Sequence, residues 1–314
     1  MCLNIKSKLT FSLEWILGLL SGIRGLAVSM AGLMENWYNY RVRFRAKTNR
    51  ARPHSRREHV IFRRMGRAIA DLRLIEPGDR ILVAVSGGKD SFALLHILDL
   101  HRRRAPFAFE LVPVFLDAGW DDRAPDLVRQ RLAEQGYTVE VYSRDIRSNV
   151  EKSLRPGSNP CALCSRLRRG VLYDLAPERN CNKIALGHHL DDLAETLLMN
   201  LFFSGQTKSM AMRLTSDDGR NLVIRPLGYV EASLLEDFAK ERGYQPVDLA
   251  CPYNNGTIDP QRKMVARLIE QVAVDYPQVR RSILAAMQHV RLSHLLDATA
   301  FDHKAAAVKR VHLT

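Results

Sequence analysis

Residues 81–91, Ile-Leu-Val-Ala-Val-Ser-Gly-Gly-Lys-Asp-Ser, constrain the fold of this chain more than any other stretch. Residues 81–85 form a short apolar run rich in β-branched side chains, which is typical of a strand buried on both faces. From Phe92 onward, apolar residues recur at helical spacing. The sequence therefore predicts a buried strand, a glycine-rich turn and a helix.

The turn between this strand and this helix is predicted to bind phosphate. A glycine-rich turn that opens a helix presents free N–H groups and the positive end of the helix dipole to an anion. Two glycines without a Cβ let the backbone approach phosphate oxygens closely. The loop residues expected to contact ATP are Ser86, Gly87, Gly88, Lys89, Asp90 and Ser91, in which the hydroxyls and the ammonium group bind phosphate and Asp90 holds Mg²⁺.

The spacing of this turn separates it from the other common phosphate-binding motifs. A Walker A loop needs four residues between its first Gly and its Gly-Lys pair, and no Gly-x-Gly-x-x-Gly fingerprint is present here. Ser-Gly-Gly-Lys-Asp-Ser instead resembles the pyrophosphate loop of the ATP-pyrophosphatase superfamily, whose members adenylate a carbonyl oxygen and release pyrophosphate. An ordinary tight turn with a solvated lysine is the alternative interpretation.

Alternating strands and helices predict an α/β fold, a parallel sheet with helices on both faces. Further strands are predicted at residues 109–116, 138–142, 183–186 and 222–224, and helices at 61–74, 126–135, 191–203, 234–242, 261–274 and 281–296. Ligands of such sheets bind outside the carboxyl ends of the strands, where the phosphate loop, Asp117 and His188 fall. We expect an N-terminal extension (1–60), an ATP-binding α/β domain (61–230) and a C-terminal helical region (231–314).

The charge of the chain is concentrated near its N-terminus. The formal net charge is +13, and residues 35–67 hold eleven Lys and Arg against two Glu. Such a basic tract is typical of a solvated segment that touches nucleic acid. The preceding residues 9–34 are apolar, but Glu14 and Arg24 interrupt them, leaving less than the ~20 residues that a membrane span needs. We expect a dispensable extension there, with an interfacial helix as the alternative, and no integral membrane association.

The chain has five cysteines, an odd and sparse set that argues for the reducing cytoplasm. Cys161 and Cys164 lie three apart at the start of a predicted helix, where the helix dipole and nearby arginines are expected to lower their pKa values. This spacing fits a dithiol redox pair, a structural zinc site, or an iron–sulfur cluster with Cys251 as a distant third ligand. Two buried inert thiols are a fourth possibility.

Residues 185–196, Ala-Leu-Gly-His-His-Leu-Asp-Asp-Leu-Ala-Glu-Thr, follow a predicted strand and open a helix. Carboxylates suit a helix N-terminus in any case, so helix capping is one interpretation. The other is that Asp192 positions a metal or the reacting nucleobase beside ATP, with Gly187 and His188 contacting the nucleotide.

Taken together, residues 86–91, 160–170 and 183–192 resemble the tRNA 2-thiocytidine synthetase (TtcA) family, a branch of the PP-loop superfamily with an adenine nucleotide alpha-hydrolase-like fold. Residues 216–219, 223–227, 286–288 and 293–295 agree with that family. The resemblance covers roughly residues 61–303.

The resemblance implies an enzyme that binds ATP and Mg²⁺ and carries a 4Fe-4S cluster on three cysteines, which here are Cys161, Cys164 and Cys251. Members replace the C2 oxygen of a tRNA cytidine at position 32 with sulfur from a cysteine-desulfurase pathway, and they suggest a homodimer. AMP transfer turns the carbonyl oxygen into a good leaving group, and sulfide held at the open iron then displaces it. The expected catalytic residues are Asp192, Lys89, Asp90 and Arg168, with Asp117, Gly187 and His188 in the ATP site.

Two other functions remain open from the sequence. Another tRNA-modifying member of the superfamily, a lysidine synthetase or a thiouridine synthase, would use the same phosphate loop. A non-catalytic ATP- or tRNA-binding protein would use the Cys-x-x-Cys only for structural metal.

Overall fold

The computed structural model describes residues 54–154, 160–248, 251, 253 and 260–296. The strands are β1 (Arg80–Val85), β2 (Glu110–Asp117), β3 (Glu140–Ser143), β4 (Lys183–Ala185), β5 (Arg213–Thr215) and β6 (Leu222–Ile224). The α-helices are α1 (Arg56–Leu72), α2 (Lys89–Arg104), α3 (Ala124–Glu134), α4 (Ile146–Ser153), α5 (Pro160–Glu178), α6 (Leu190–Met199), α7 (Ala232–Glu241), α8 (Pro260–Asp275) and α9 (Val279–Gln288).

The strands form one sheet in the order β3-β2-β1-β4-β6-β5. All neighbouring pairs are parallel except β5 and β6, which form an antiparallel hairpin at one edge. The predicted α/β fold is confirmed, and the predicted turn at residues 216–219 connects the hairpin. The sheet is mixed rather than wholly parallel because the chain reverses there. Exposed Arg213-Leu214-Thr215 gave no apolar pattern from which β5 could be predicted.

Helices cover both faces of the sheet, as the side chains of β1 show. Ile81, Val83 and Val85 point into a core that includes side chains of α1, α2 and α7, whereas Leu82 joins α4 and α5 on the other face. Each of these four side chains is at most 2% exposed. Burying one contributes roughly 1.5–3 kcal/mol, which fixes the strand and the loop that follows it.

Helix α1 begins at Arg56, five residues before the predicted start at residue 61. Its first turn is Arg-Arg-Glu-His, so it lacks the apolar residues on which the prediction depended. The Ser55 hydroxyl accepts a 3.1 Å hydrogen bond from the Glu58 amide and caps the helix. The sequence Ser-x-x-Glu at 55–58 is a capping-box signal that could have located this start. Buried Glu58 then pairs with His96 on α2.

Three other elements differ from the prediction. Helix α4 was not predicted, since its sequence is mostly polar and buries only Ile146 and Val150. The predicted helix at 191–203 is divided in two, since α-helix α6 ends at Met199 and a π-helical turn, Asn200–Ser204, follows it. Helix α9 ends at Gln288 instead of continuing to residue 296, and a 3₁₀ turn, Leu292–His294, follows.

Helix α7 packs on the same core as the strands, because Phe238 stacks near Phe92 of α2 with ring centroids 6.2 Å apart. The three-region division of the chain stays a prediction. Among the described residues, no helix combines the length and apolarity that crossing a membrane requires. The apolar stretch at residues 9–34 and most of the basic tract lie outside the described residues.

Candidate active site

The phosphate loop connects β1 to α2 and is held by its own serines. The Ser91 hydroxyl accepts from the Ser86 amide at 3.1 Å and donates to the Gly88 carbonyl at 2.9 Å. The Ser86 hydroxyl in turn accepts from the Gly88 amide at 3.3 Å. The loop is thus curled against the first turn of α2, whose opening N–H groups have no partner within the helix.

Gly87 occupies a position that other residues would not tolerate. Its φ of +83° lies in the left-handed region, and a Cβ there would come within 3.0 Å of Val128 Cγ2 and 3.3 Å of Val247 Cβ. Its carbonyl accepts two hydrogen bonds of 3.0 Å, one from the Tyr244 hydroxyl and one from the Val247 amide. The segment after α7 therefore braces the loop from behind.

The turn after β4 lies against the start of α2. A Cβ on Gly187 would come within 3.3 Å of the Ser91 backbone nitrogen, so a glycine permits this close approach. The helix that follows is capped by Asp192, whose Oδ2 accepts a 3.0 Å hydrogen bond from the His189 amide. Asp192 therefore caps α6 and also lies at the carboxyl edge of the sheet.

A cavity of about 540 Å³ lies at this edge and brings the predicted motifs together. The phosphate loop, the turn after β4 and helix α5 all contribute polar residues to it. With Asp192 of α6 and Arg225 after β6, these lining residues are Ser86, Asp90, Ser91, Ser165, Arg168, Arg169, Gly187, His188, Asp192 and Arg225. Its apolar lining includes Ala84, Val114, Leu116, Leu172 and Leu186, which suit an aromatic base.

The charges in this cavity favour an anionic ligand, since three arginines line it against two aspartates. Burial, reinforced by the charge of Arg225, lowers the pKa of His188 to about 4. The ring is therefore neutral at pH 7, and its buried Nδ1 has no partner among the described residues. A neutral imidazole can donate or accept one hydrogen bond without adding charge.

The two aspartates that open α6 have different roles. Asp191 Oδ2 accepts a 2.7 Å hydrogen bond from the Ala232 amide, and its carboxylate also pairs with Arg280. It therefore fastens α7 and α9 to α6. Arg262 of α8 lies 2.9 Å from Glu195 and 3.6 Å from Asp192, so a C-terminal helix reaches the carboxylate that lines the cavity.

The three candidate ligand cysteines come from two distant parts of the sequence, since Cys161 and Cys164 share helix α5 and Cys251 lies far beyond it. Cys161 is exposed, whereas Cys164 and Cys251 are half-buried. Partial burial raises the pKa of the Cys161 thiol, and the nearby Cys251 and Cys164 raise it further. The expected lowering of the Cys161 pKa is therefore wrong, because burial of the thiol, together with the two neighbouring thiols, disfavours the thiolate.

This electrostatic contact brings residue 251 to the start of α5. Within the described ranges, no three His, Cys, Asp or Glu side chains are arranged closely enough to hold a metal ion. Tyr253 also contacts the segment after β2, since its ring meets Trp120 edge-on with centroids 5.6 Å apart.

Of the predicted ATP-site residues, Gly87, Gly88, Lys89 and Asp117 do not line the cavity. The Lys89 ammonium pairs with the neighbouring Asp90 carboxylate at 3.0 Å. Asp117 ends β2 and accepts a 2.9 Å hydrogen bond from the Gly119 amide, which shapes the turn after the strand. In contrast, Arg225 lines the cavity although the sequence gave it no site role. Its position directly after a strand end was the available signal.

Comparison with known proteins fits this geometry. The model of the PP-loop domain matches residues 58–248. A tRNA-cytidine(32) 2-sulfurtransferase from Syntrophotalea carbinolica is 46% identical over 80% of this chain and 98% of its own length. A protein of the same name from Geobacter metallireducens is 48% identical over 74% of this chain and 90% of its own length. This chain belongs to the tRNA-cytidine(32) 2-sulfurtransferase family.

The family resemblance predicted from the motifs is thereby confirmed. A solved structure of the U34-tRNA thiolase NcsA from Methanococcus maripaludis, with its [4Fe-4S] cluster, has a TM-score of 0.60. It is 20% identical, and the match covers 75% of this chain and 81% of that one. At that identity the likeness concerns the fold, which this chain and the thiolase share.

Proposed function

We propose that this chain is an ATP-dependent tRNA sulfurtransferase that replaces the C2 oxygen of cytidine 32 with sulfur. Membership in the family supports the reaction. The observation that carries the proposal is the single cavity in which the phosphate loop, Arg168 and Asp192 meet. That cavity places a nucleotide-binding loop, a cation and a carboxylate around one ligand.

The loop would bind the pyrophosphate half of ATP. Backbone N–H groups at the start of α2 would contact the β- and γ-phosphates, and the hydroxyls of Ser86 and Ser91 would turn from their bonds within the loop to donate to the same phosphates. Mg²⁺ is usually held by one or two carboxylates together with phosphate oxygens. Asp90 and Asp192, the two carboxylates lining the cavity, are the residues that would hold it.

The first step would activate the base. The C2 oxygen attacks the α-phosphorus, the bond from that phosphorus to the bridging oxygen breaks, and the electron pair leaves with pyrophosphate. In the second step hydrosulfide adds at C2, AMP leaves with the C–O electron pair, and one proton is released. Arg168 would stabilise the phosphoryl charge, and Asp192 would orient the base that is splayed out of its loop.

The donor set suits an iron–sulfur cluster. Cys164 and Cys251 both act electrostatically on Cys161, although Cys251 is far from the other two in sequence, and three thiolates would leave one iron of a 4Fe-4S cluster without a protein ligand. When bound, that cluster would supply a site for the sulfur that reaches C2. The arginines on the same helix, Arg166, Arg168 and Arg169, would position phosphates of the nucleotide or the tRNA backbone.

The partners that remain proposals are a cysteine-desulfurase pathway as the sulfur source and a second copy of the chain in a homodimer. We also propose that the enzyme works in the cytoplasm, where its tRNA substrate is. Gel filtration with light scattering of the purified chain would test the homodimer directly.

Nucleoside mass spectrometry on bulk tRNA tests the function. Cells that lack this gene should lose 2-thiocytidine and recover it with the wild-type chain, but not with Asp192→Asn. Loss of a thiolated uridine or of lysidine would assign the chain to another substrate in the superfamily. Unchanged nucleosides, with normal levels of the protein, would contradict an enzymatic role in tRNA modification.

A further inference from the structure

Arg225 is fixed at the edge of the sheet by the backbone on both sides. It follows β6, and its amide donates a 3.0 Å hydrogen bond to the Met212 carbonyl across the hairpin. The preceding carbonyl, that of Ile224, accepts from the Leu186 amide at 3.0 Å. Arg225 therefore lies beside the turn that carries Gly187 and His188, and its side chain lines the cavity.

The guanidinium of Arg225 carries an uncompensated charge in a largely buried position. One of its nitrogens, Nη1, donates to the Ala211 carbonyl, while its buried Nε has no partner among the described residues. Among the residues that the structure describes, no carboxylate lies within ion-pair distance of this guanidinium. Burial lowers its pKa and the charge of Arg169 lowers it further, whereas Tyr173 and Asp192 act in the opposite direction.

Such a group is costly to keep without an anion. Removing a cation from water is unfavourable unless hydrogen bonds and an opposite charge replace the lost hydration. Arginine stays protonated even where burial disfavours its charge, so the protein cannot relieve this cost by releasing the proton. An arginine that lines a cavity under these conditions is preorganised to bind an anionic ligand.

We propose that Arg225 binds the α-phosphoryl group of ATP and stays in contact with it while that group moves to the base oxygen. This inference rests on the function proposed above and adds a residue to it. In the transfer, the bond to the base oxygen forms as the bond to the β-phosphate oxygen breaks. Negative charge is shared by the non-bridging oxygens throughout, and a planar guanidinium can bind two of them.

The position of Arg225 favours the α-phosphoryl group over the other phosphates. The β- and γ-phosphates are expected at the loop, where Ser86 and Ser91 shape the start of α2. The base is expected near Asp192, at the start of α6. Arg225 lies beside the turn that carries His188, and it lines the same cavity as Asp192, so we expect it on the acceptor side of the nucleotide. The α-phosphoryl group is the part of ATP that must reach that side.

Arg225→Gln and Arg225→Lys test the inference in single-turnover assays of tRNA-dependent pyrophosphate release. Loss of one preorganised donor to a transition state lowers a rate constant by roughly 100- to 1,000-fold. We expect a fall of this order in Arg225→Gln, with the Kd for ATP and the Kd for tRNA each within about threefold of the wild-type value. Arg225→Lys should recover part of the rate, because lysine keeps the charge but not the planar fork.

Arg220→Gln is the matched control. Arg220 lies in the turn of the same hairpin, is exposed, and pairs with Asp218 and Asp174 instead of lining the cavity. Its substitution should leave the rate constant unchanged. Thermal unfolding of each variant identifies a loss of fold. If Arg225→Gln does not fold, Arg225→Lys decides, and a wild-type rate constant in that variant overturns the inference.

Two further outcomes overturn the inference. One is an unchanged rate constant in a folded Arg225→Gln. The other is that Arg225→Gln weakens only the affinity for tRNA and makes the slope of log Kd against log salt shallower. That result would place Arg225 on a tRNA backbone phosphate. The proposed function is tested separately by the wild-type enzyme. If the wild type releases no pyrophosphate in the presence of tRNA, that function is wrong, whatever the Arg225 variants do.

Discussion

The hydroxyl of Tyr244 donates a 3.0 Å hydrogen bond to the main-chain carbonyl of Gly87, although 157 residues separate them in sequence. The bond is buried, and burial raises the pKa of Tyr244 to about 12. The hydroxyl therefore remains a donor at every physiological pH. It ties the end of α7 to the phosphate loop and makes the shape of the loop depend on the C-terminal half of the chain.

Tyr244→Phe should weaken ATP binding modestly. It removes one hydrogen bond, worth about 1 kcal/mol, while the Val247 amide still satisfies the Gly87 carbonyl. We expect a Kd for ATP raised by about two- to tenfold in calorimetry. Tyr276→Phe, at a position that is exposed, should leave the Kd unchanged. Equal affinity in the wild type and in Tyr244→Phe would contradict the bracing role.

Gly87→Ala should weaken ATP binding strongly, for a reason that goes beyond backbone strain. An L-residue at a φ of +83° costs about 1–2 kcal/mol, and its Cβ would also meet Val128 and Val247. Gly136→Ala is the matched control, because its φ is +82° with no atom within 4 Å of the added Cβ. Both variants should lower the Tm, but only Gly87→Ala should raise the Kd for ATP at least tenfold. Equal ATP affinity in both variants would contradict the role of the contacts.

Stability should fall at acid pH partly through His101. Its ring stacks on Phe62 with centroids 3.9 Å apart, and its Nε2 lies 3.0 Å from the Phe62 carbonyl. Burial lowers its pKa to about 3. Between pH ~6.5 and about 3 the unfolded chain takes up a proton that the folded chain does not, so the free energy of unfolding falls as pH falls, by ~1.4 kcal/mol per pH unit.

Urea unfolding between pH 7 and pH 5 checks this expectation in the wild type and in His101→Phe. The variant keeps an aromatic ring for the stack but cannot titrate. Its free energy of unfolding should be lower at pH 7 and should change less steeply with pH. Identical slopes in the two proteins would show that His101 does not titrate differently on folding.

Cys164→Ser and Cys251→Ser should each lower the iron content of anaerobically purified protein. Each removes one of three thiols that the proposed cluster needs. Cys181→Ala is the control, since Cys181 is buried and its thiol donates toward the Arg179 carbonyl instead. Iron and sulfide analysis with visible absorbance should show loss in the first two variants only. Iron retained at the wild-type ratio would contradict the ligand assignment.

Removing residues 1–53 should weaken tRNA binding and leave ATP binding intact. The truncation keeps Ser55 and α1, whose Glu58 is buried against His96. If the removed arginines and lysines contact phosphates, the slope of log Kd against log salt should become shallower. Filter binding at several salt concentrations measures that slope. An unchanged slope would mean that this tract only improves solubility.

Most of the cavity could be predicted because its residues carry local signals. Ser86 and Gly187 stand at strand-to-helix turns, and Asp192 opens a helix, so each position follows from neighbours in sequence. Arg225 gave no comparable signal, since one arginine after a short strand has no periodicity or spacing of its own. Lys89 illustrates the opposite case. Its motif predicted a site role, but its side chain pairs with Asp90 and does not itself line the cavity.

The Gly87 carbonyl has a consequence for the timing of the reaction. It accepts from the Val247 amide, and only a few residues follow before Cys251. A chain extends at most ~3.3–3.6 Å per residue, so this connection cannot be long. A shift of the loop that strains the Gly87–Val247 bond would therefore pull on the segment that carries Cys251. If Cys251 holds the proposed cluster, nucleotide arrival and the placement of that thiol would be linked, and this link would give the enzyme a means to withhold sulfur until the base is activated.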